Sequence, residues 1–391
     1  MLLDLDELIS FGLSALESGK FLTAINVYTC IIHASPEISE NRVGLAKIYC
    51  NRGMAFKRSE KHDKAISNFN KAISLDPLNH TLFINRGSVY LDLNQQETAR
   101  KDFSIASYLV PNDSEVLIKL GEIELELELL EEALAHFDQA IRVNPEFGRA
   151  YFCRGNVNFS LGRDHCSADL FKQAIQDYQK ALALKTQQGE YEFYEATAHN
   201  FMGLAYSELG LINEAIDAFQ KAVNCNAQLN VEYFLNLVVA KSELAYKENN
   251  TVLYDVLIKE FDYIIELVPK YAGAYYHRGL IKFDIKEYQA AIADFIMTLK
   301  LVPNIGSAHY YLGLCYAVVK DYLKAIVHIK EAIDLEPQEI QYQKTFQSVL
   351  VGLSRSGYYP EIIAEFLQQL TSVQTDDISN KENSIPRNRL L

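Results

Sequence analysis

The residues best equipped for chemistry in this chain are His165 and Cys166, adjacent in sequence, with Asp164 and Asp169 beside them. Imidazole, thiolate and carboxylate are the groups that bind zinc, but structural and catalytic zinc sites draw on characteristic ligand spacings, and this cluster has none of them. Ordinary polarity at a helix turn accounts for it better, and a metal-dependent role near His165 and Cys166 is kept only as a remote alternative. The other chemical signatures are missing. The sequence holds no HExxH, no phosphate-cradling GxxxxGK[ST], no GxSxG and no dinucleotide fingerprint. The nine histidines are scattered, and the six cysteines (30, 50, 153, 166, 225 and 315) form no CxxC pair. They fall inside helical patterns and read as buried, reduced thiols. The expectation is therefore a chain with no catalytic residues, no metal ligands and no cofactor.

The elements that position these residues are announced by glycine. Gly53, Gly87, Gly121 and Gly155 recur every 34 residues. Behind each of the first three come an alanine (Ala65, Ala99, Ala133), an aromatic (Phe69, Phe103, Phe137), a second alanine (Ala72, Ala106, Ala140) and a proline (Pro77, Pro111, Pro145) at fixed offsets. Composition does not produce four such coincidences three times. A 34-residue period with this punctuation means helix–turn–helix units stacked into a solenoid. Small residues let helices approach, the aromatic fills the space between them, and proline stops the second helix because it lacks an amide hydrogen. One unit cannot bury its apolar stripe alone; stacking does it.

The pattern resembles the tetratricopeptide repeat family. With the glycine as position 8, the family has small residues at 8, 20 and 27, an aromatic at 24 and proline at 32. The resemblance runs from Gly12, Ala24 and Tyr28 in the first repeat to Gly313, Ala325 and Pro337 in the ninth. Repeat five delivers Ala174 and Tyr178 seven residues late. Repeat seven has Leu237 for glycine, with Phe261 and Pro269 eight residues late. The tripeptides Asn51-Arg52-Gly53, Asn85-Arg86-Gly87 and His277-Arg278-Gly279 look like those of many bacterial members. The resemblance implies an all-helical, right-handed superhelical solenoid of about nine repeats with a C-terminal capping hairpin.

It also implies where partners bind, because in this family the first helix of each repeat lines a concave groove through positions 2, 5, 6 and 9. Carried onto this chain, those positions give Lys47, Asn51, Asn85, Lys119 and Arg149 in the first half. Stacked asparagines resemble the ladder by which some members hold the backbone of an extended peptide, since an amide donates and accepts at once. In the second half the same positions turn apolar: Phe201, Phe234, Tyr276, His277, Tyr310 and Tyr311. Exposed, that stripe marks an interface; tight curvature or the C-terminal hairpin would instead bury it internally. The lysine–asparagine clamp for chaperone tails is incomplete, since its five positions from repeat two are Cys50, Met54, Asn85, Glu115 and Lys119. Heat-shock chaperone C-termini are therefore not expected partners. The run Glu122–Glu128 alternates like a strand, but the repeat register places it on the first helix of repeat four as a negatively charged face.

Glycine-to-glycine spacings of 41, 34, 34, 34, 48, 34, 42 and 34 show where the array departs from its period. Seven residues make about two helical turns, so such additions lengthen helices in phase. Glu190–Leu209 reads as one elongated helix carrying Tyr191, Phe193 and Tyr194, and 247–251 as a polar loop. The expected division is an N-terminal block of repeats (1–188), a C-terminal block (189–338), a capping hairpin (339–371) and a disordered tail (372–391) containing Lys381-Glu382-Asn383. A net charge of −14 argues against nucleic acid. The opening Met1-Leu2-Leu3-Asp4 has no signal-peptide character, and no run approaches the ~18 apolar residues of a membrane helix. The expectation is a cytoplasmic, non-enzymatic scaffold or adaptor that binds a protein or peptide. A chaperone or assembly factor holding one client in the aromatic groove is the alternative.

Overall fold

The computed structural model describes residues 5–34, 41–184, 191–225 and 230–355. The expected second capping helix (361–370) and the tail lie outside these residues. Among the described residues the regular structure is helical throughout. In chain order the α-helices are α1 (Leu5–Glu17), α2 (Phe21–Ala34), α3 (Arg42–Arg58), α4 (His62–Leu75), α5 (His80–Asp92), α6 (Gln96–Leu109), α7 (Ser114–Glu126), α8 (Leu130–Val143), α9 (Gly148–Asp164) and α10 (Ala168–Ala183). They continue with α11 (Tyr191–Glu208), α12 (Ile212–Asn224), α13 (Val231–Lys247), α14 (Tyr254–Leu267), α15 (Ala272–Asp284), α16 (Tyr288–Leu301), α17 (Gly306–Val318), α18 (Tyr322–Leu335) and α19 (Ile340–Arg355). No helix among these is long and apolar enough to cross a membrane.

The chain divides into two compact units, Met1–Leu209 and Gly210–Leu391. The boundary falls a helix later than the sequence suggested, because α11 packs on α9 and α10 and so joins the first unit. Within each unit, consecutive helices pair into antiparallel hairpins that stack on their neighbours.

One contact recurs through both stacks. The position-8 glycine of the first helix lies against the position-24 side chain of the second. A β-carbon built on Gly53 would meet the Phe69 ring at 2.9 Å, on Gly87 the Phe103 ring at 2.8 Å, on Gly121 the Phe137 ring at 2.7 Å and on Gly279 the Phe295 ring at 3.0 Å. A β-carbon at any of these positions would force the ring to shift. The alanines at 20 and 27 (Ala65, Ala72, Ala99, Ala106, Ala133, Ala140) are fully buried beside it. The second helices then stop ahead of proline, and the next first helix is capped. Asn79 Oδ1 accepts from the Thr81 amide at 3.2 Å, and Asp113 Oδ1 accepts from the Glu115 and Val116 amides at 3.0 and 3.2 Å.

The turn between paired helices uses one left-handed residue: Gly19 in the first repeat, then Glu60, Asn94, Glu128, Cys166, Gly210, Asn249, Lys286 and Lys320. A non-glycine residue there costs roughly 1 kcal/mol, which the packing on either side outweighs. Extra residues are absorbed as helix. In repeat five α9 and α10 run to 17 and 16 residues, against 13 and 14 for α7 and α8, and the register holds, since Gly155 meets Tyr178 at 2.7 Å. In repeat seven α13 extends to Lys247 and a single 3-10 turn, Thr251–Leu253, follows, so 247–251 is only partly loop.

A second recurring feature is ionic. The arginine before the glycine reaches position 23 of its own second helix and position 25 of the preceding repeat. Arg154 donates to Asp177 at 3.0 and 2.6 Å and to Asp138 at 2.7 Å, and Arg278 to Asp294 and Asp262 in the same way. Repeat four replaces it with Leu120 and instead buries Glu124 between Arg100 (3.2 Å) and His136 (2.6 Å). Repeat nine places His328 at position 23, with Nδ1 3.1 Å from Nδ1 of His309 and its ring parallel to Tyr316.

Two outcomes follow. Gly87→Leu should overpack the helix contact and cost about 1–3 kcal/mol in denaturant unfolding, whereas exposed Lys101→Ala should stay within about 0.5 kcal/mol; a Gly87→Leu protein as stable as wild type would mean that this contact does not hold the hairpin. Burial, then His309 and Lys324, hold the His328 imidazole down at about 4, against 6.5 ordinarily. The unfolded chain therefore takes up a proton that the folded chain refuses, so this contribution is intact above about pH 6.5 and is lost as pH falls toward 4. Between pH 7 and 5.5, unfolding of His328→Gln should show a shallower fall in stability than wild type.

Candidate functional site

First helices of successive repeats touch directly: α3 with α5, α7 with α9 and α9 with α11 in the first unit, α13 with α15 and α15 with α17 in the second. Helices that meet across a repeat lie on the inner side of their stack, so the first helices build the inner face. It is made differently in the two units.

In the first unit the face is polar and open to solvent. Lys47 is exposed near the start of α3, and Asn51, a turn on, is half-buried with its Nδ2 enclosed and unpaired. Asn85 on α5 is half-buried and donates to Cys50 Sγ at 3.4 Å. A thiol sulfur is a weak acceptor, so this amide gives up little if it turns to a peptide backbone. Lys119 and Arg149, expected to line the partner groove, are both held by Glu122: Lys119 at 3.1 Å, Arg149 Nε and Nη2 at 2.9 and 2.5 Å. Sequence reasoning missed that tie, and also Lys57, which donates to Ser88 Oγ at 2.7 Å and lies 3.4 Å from Asp92. Lys57 is at position 12, one turn beyond the positions scanned; a lysine there facing a serine at position 9 of the next repeat was the available signal.

The acidic run is corrected. Glu122 and Glu124 are neutralised by partners within the fold, Glu126 ends α7 and Glu128 is the left-handed turn residue, so only the last two are exposed.

In the second unit the expected aromatic wall is interior. Tyr276, His277, Tyr310 and Tyr311 are 1, 5, 5 and 9% exposed. Tyr276 meets Phe295 edge to face at 6.0 Å. His277 stacks on Phe261, Tyr311 on Phe295, and Tyr310 on Tyr342 of α19 at 4.5 Å, its hydroxyl 3.1 Å from Thr345 Oγ1. Rings this large at positions 5 and 6 fill the gap to the next hairpin, so stacking consumes them. Phe234 is half-buried, edge-on to Tyr263 at 6.2 Å. Phe201 belongs to the first unit, half-buried between Phe159 at 5.5 Å and Tyr178 at 6.0 Å.

The cluster at His165 and Cys166 is the turn of repeat five. His165 caps α9, Cys166 takes the left-handed position, and both are exposed. Asp169 pairs with Lys172 at 3.1 Å. The expectation of uniformly buried thiols is corrected, since Cys30 and Cys166 are exposed. The enclosed ones are held protonated: burial, then the Glu122 charge, pushes Cys153 up to about 12, burial raises Cys315 to about 12, and burial raises Cys50 as well. A thiol so raised is a poor nucleophile and a poor metal ligand.

Comparison with known proteins follows the same lines. Residues 46–79, 118–181 and 153–228 match models of the tetratricopeptide repeat. No curated protein matches the sequence. Among solved structures, the APC/C hetero-tetramer Cut9–Hcn1 is 18% identical with a TM-score of 0.51, covering 84% of this chain and 59% of that one. A tetratricopeptide repeat protein from Parabacteroides merdae is 17% identical with a TM-score of 0.46, over 79% and 98% of the two chains. A MamA protein is 25% identical with a TM-score of 0.41, over 46% and 91%. With helical hairpins, glycine–aromatic contacts and matched segments in agreement, the chain belongs to the tetratricopeptide repeat family.

Proposed function

We propose that the chain is a non-enzymatic protein-binding scaffold that receives an extended partner segment on the first-helix face of its N-terminal unit. The observation that carries this reading is the contrast between the two inner faces. From α3 to α9 the face presents Lys47, Asn51, Lys57, Asn85 and Ser88 at least partly to solvent. From α15 to α17 the equivalent rings are closed into the core. Amides and hydroxyls spaced one repeat apart suit a peptide backbone, which offers a donor and an acceptor at each residue. The mixed charges Lys57, Asp92, Lys119, Glu122 and Arg149 suit recognition by orientation rather than by net charge. Stacked helical repeats work through such extended inner surfaces.

The alternative, a chaperone holding one client against the aromatics of the second unit, finds Tyr276 and Tyr310 already occupied by their own neighbours. Their truncation should lower stability by about 3–5 kcal/mol, as for large-to-small core changes.

Lysine-directed cross-linking of the full chain to the proteins it captures, read by mass spectrometry, tests the reading. Links should concentrate on Lys47, Lys57 and Lys119 rather than on the second-helix lysines Lys64 and Lys101. Asn85→Ala should weaken capture about three- to tenfold with the fold intact, as for one ordinary hydrogen bond. Links confined to second helices or to the second unit, with Asn85→Ala binding at full strength, would contradict it.

A further inference from the structure

Four arginines stand directly before a repeat glycine: Arg52, Arg86, Arg154 and Arg278. Three of them grip an aspartate with Nε and Nη2 together. Arg86 holds Asp102 at 2.8 and 2.6 Å, Arg154 holds Asp177 at 3.0 and 2.6 Å, and Arg278 holds Asp294 at 2.9 and 2.5 Å. Two parallel bonds to one carboxylate are the strongest arrangement open to a guanidinium.

At Arg52 the same frame is built without the charge. The guanidinium lies over the Tyr49 ring at 5.2 Å, as Arg86 lies over Phe83 and Arg278 over Tyr275. Position 23, however, is Asn68, which accepts only from Nε at 2.8 Å, and Nη1 reaches the neutral hydroxyl of Thr29 at 3.2 Å. Among the described residues Nη2 has no acceptor and Arg52 no ion pair. A half-buried guanidinium without a counter-ion keeps its desolvation cost, which the aspartates offset for its counterparts. Their titration differs in the same sense: burial lowers Arg52, whereas the hydrogen bonds of Asp102 and Asp177 raise Arg86 and Arg154.

Beside Arg52 opens a cleft of about 410 Å³ on the side of α4, away from the first-helix face. Ser67, Asn70, Lys71 and Ser74 line it with Tyr49 and Arg52, and no acidic side chain does. Lys71 adds an exposed second cation. At its rim Arg42 Nη2 donates to the Ser74 carbonyl at 3.3 Å. The cleft therefore combines one half-buried cation, one exposed cation and neutral donors beside Asn68, which stands where sister repeats hold a carboxylate.

We propose that this cleft is a binding subsite for the carboxylate of an acidic protein segment, seated against the Nη2 edge of Arg52 that Asn68 leaves without an acceptor and that Asp102, Asp177 and Asp294 fill in the sister repeats. The inference rests on the reading of the chain as a binder of protein segments and adds a second contact outside the inner face. It differs from groove recognition in needing charge and not backbone.

The test uses the full chain and an end-blocked tetraglutamate peptide, with end-blocked tetraglutamine and inorganic phosphate as comparisons, at constant ionic strength. Binding is followed by calorimetry. The glutamate peptide should bind and the glutamine peptide should not. Asn68→Asp supplies the missing carboxylate from within, so it should weaken glutamate-peptide binding about fivefold or more while the protein stays folded; Arg52→Gln should do the same. Unchanged binding to Asn68→Asp would overturn the proposal, and so would binding of phosphate without binding of the glutamate peptide. If Asn68→Asp leaves peptide binding untouched while partner cross-links still fall on Lys47 and Lys57, this subsite fails and the groove reading stands.

Discussion

The absence of a side chain at position 8 is the constraint on which the rest depends. With the rings of Phe69, Phe103, Phe137 and Phe295 standing within about 3 Å of where a β-carbon would be, paired helices close to a fixed distance and angle. That contact fixes the register of each hairpin, and hairpins in register stack with their first helices together. Only then do side chains a repeat apart in sequence, such as Asn51 and Asn85, come onto one face. Interiors packed this tightly respond discretely rather than by small deformations, which explains why added residues enter as helical turns and leave Gly155 still meeting Tyr178.

Electrostatics builds on that frame rather than replacing it. The arginine at position 7 bridges its own second helix and the one before, so each pair ties two repeats together. A pair this enclosed adds little net stability against an apolar alternative, but its geometry is demanding, and repeat four shows the function can be met otherwise, with Glu124 between Arg100 and His136. The deviations from the shared pattern are where individual behaviour enters. His328 in place of an aspartate brings acid sensitivity, and Asn68 in place of an aspartate leaves a cation uncompensated.

The helices and the repeat register were legible in the sequence because the contacts that set them lie within one repeat, at fixed offsets such as Gly87 to Phe103. The inner face was legible only by position. Whether Tyr276 and Tyr310 are surface or core depends on how far neighbouring hairpins close, which is decided by rings such as Phe295 and Tyr342 in other helices. The tie of Lys119 and Arg149 to Glu122 was not legible, because Glu122 lies three residues from one and in a different repeat from the other. Cys166 read as helix-turn polarity, with a metal role only as a remote alternative, and it occupies the turn position of Glu60, Asn94 and Glu128; the seven added residues of repeat five disguised that equivalence.

The most direct test of the inner face of the first unit as the partner surface is hydrogen–deuterium exchange of the full chain, free and partner-bound. Slower exchange should appear along α3, α5 and α7, with α6, α8 and the second unit unchanged. Protection confined to the second helices, or to α13, α15 and α17, would contradict it.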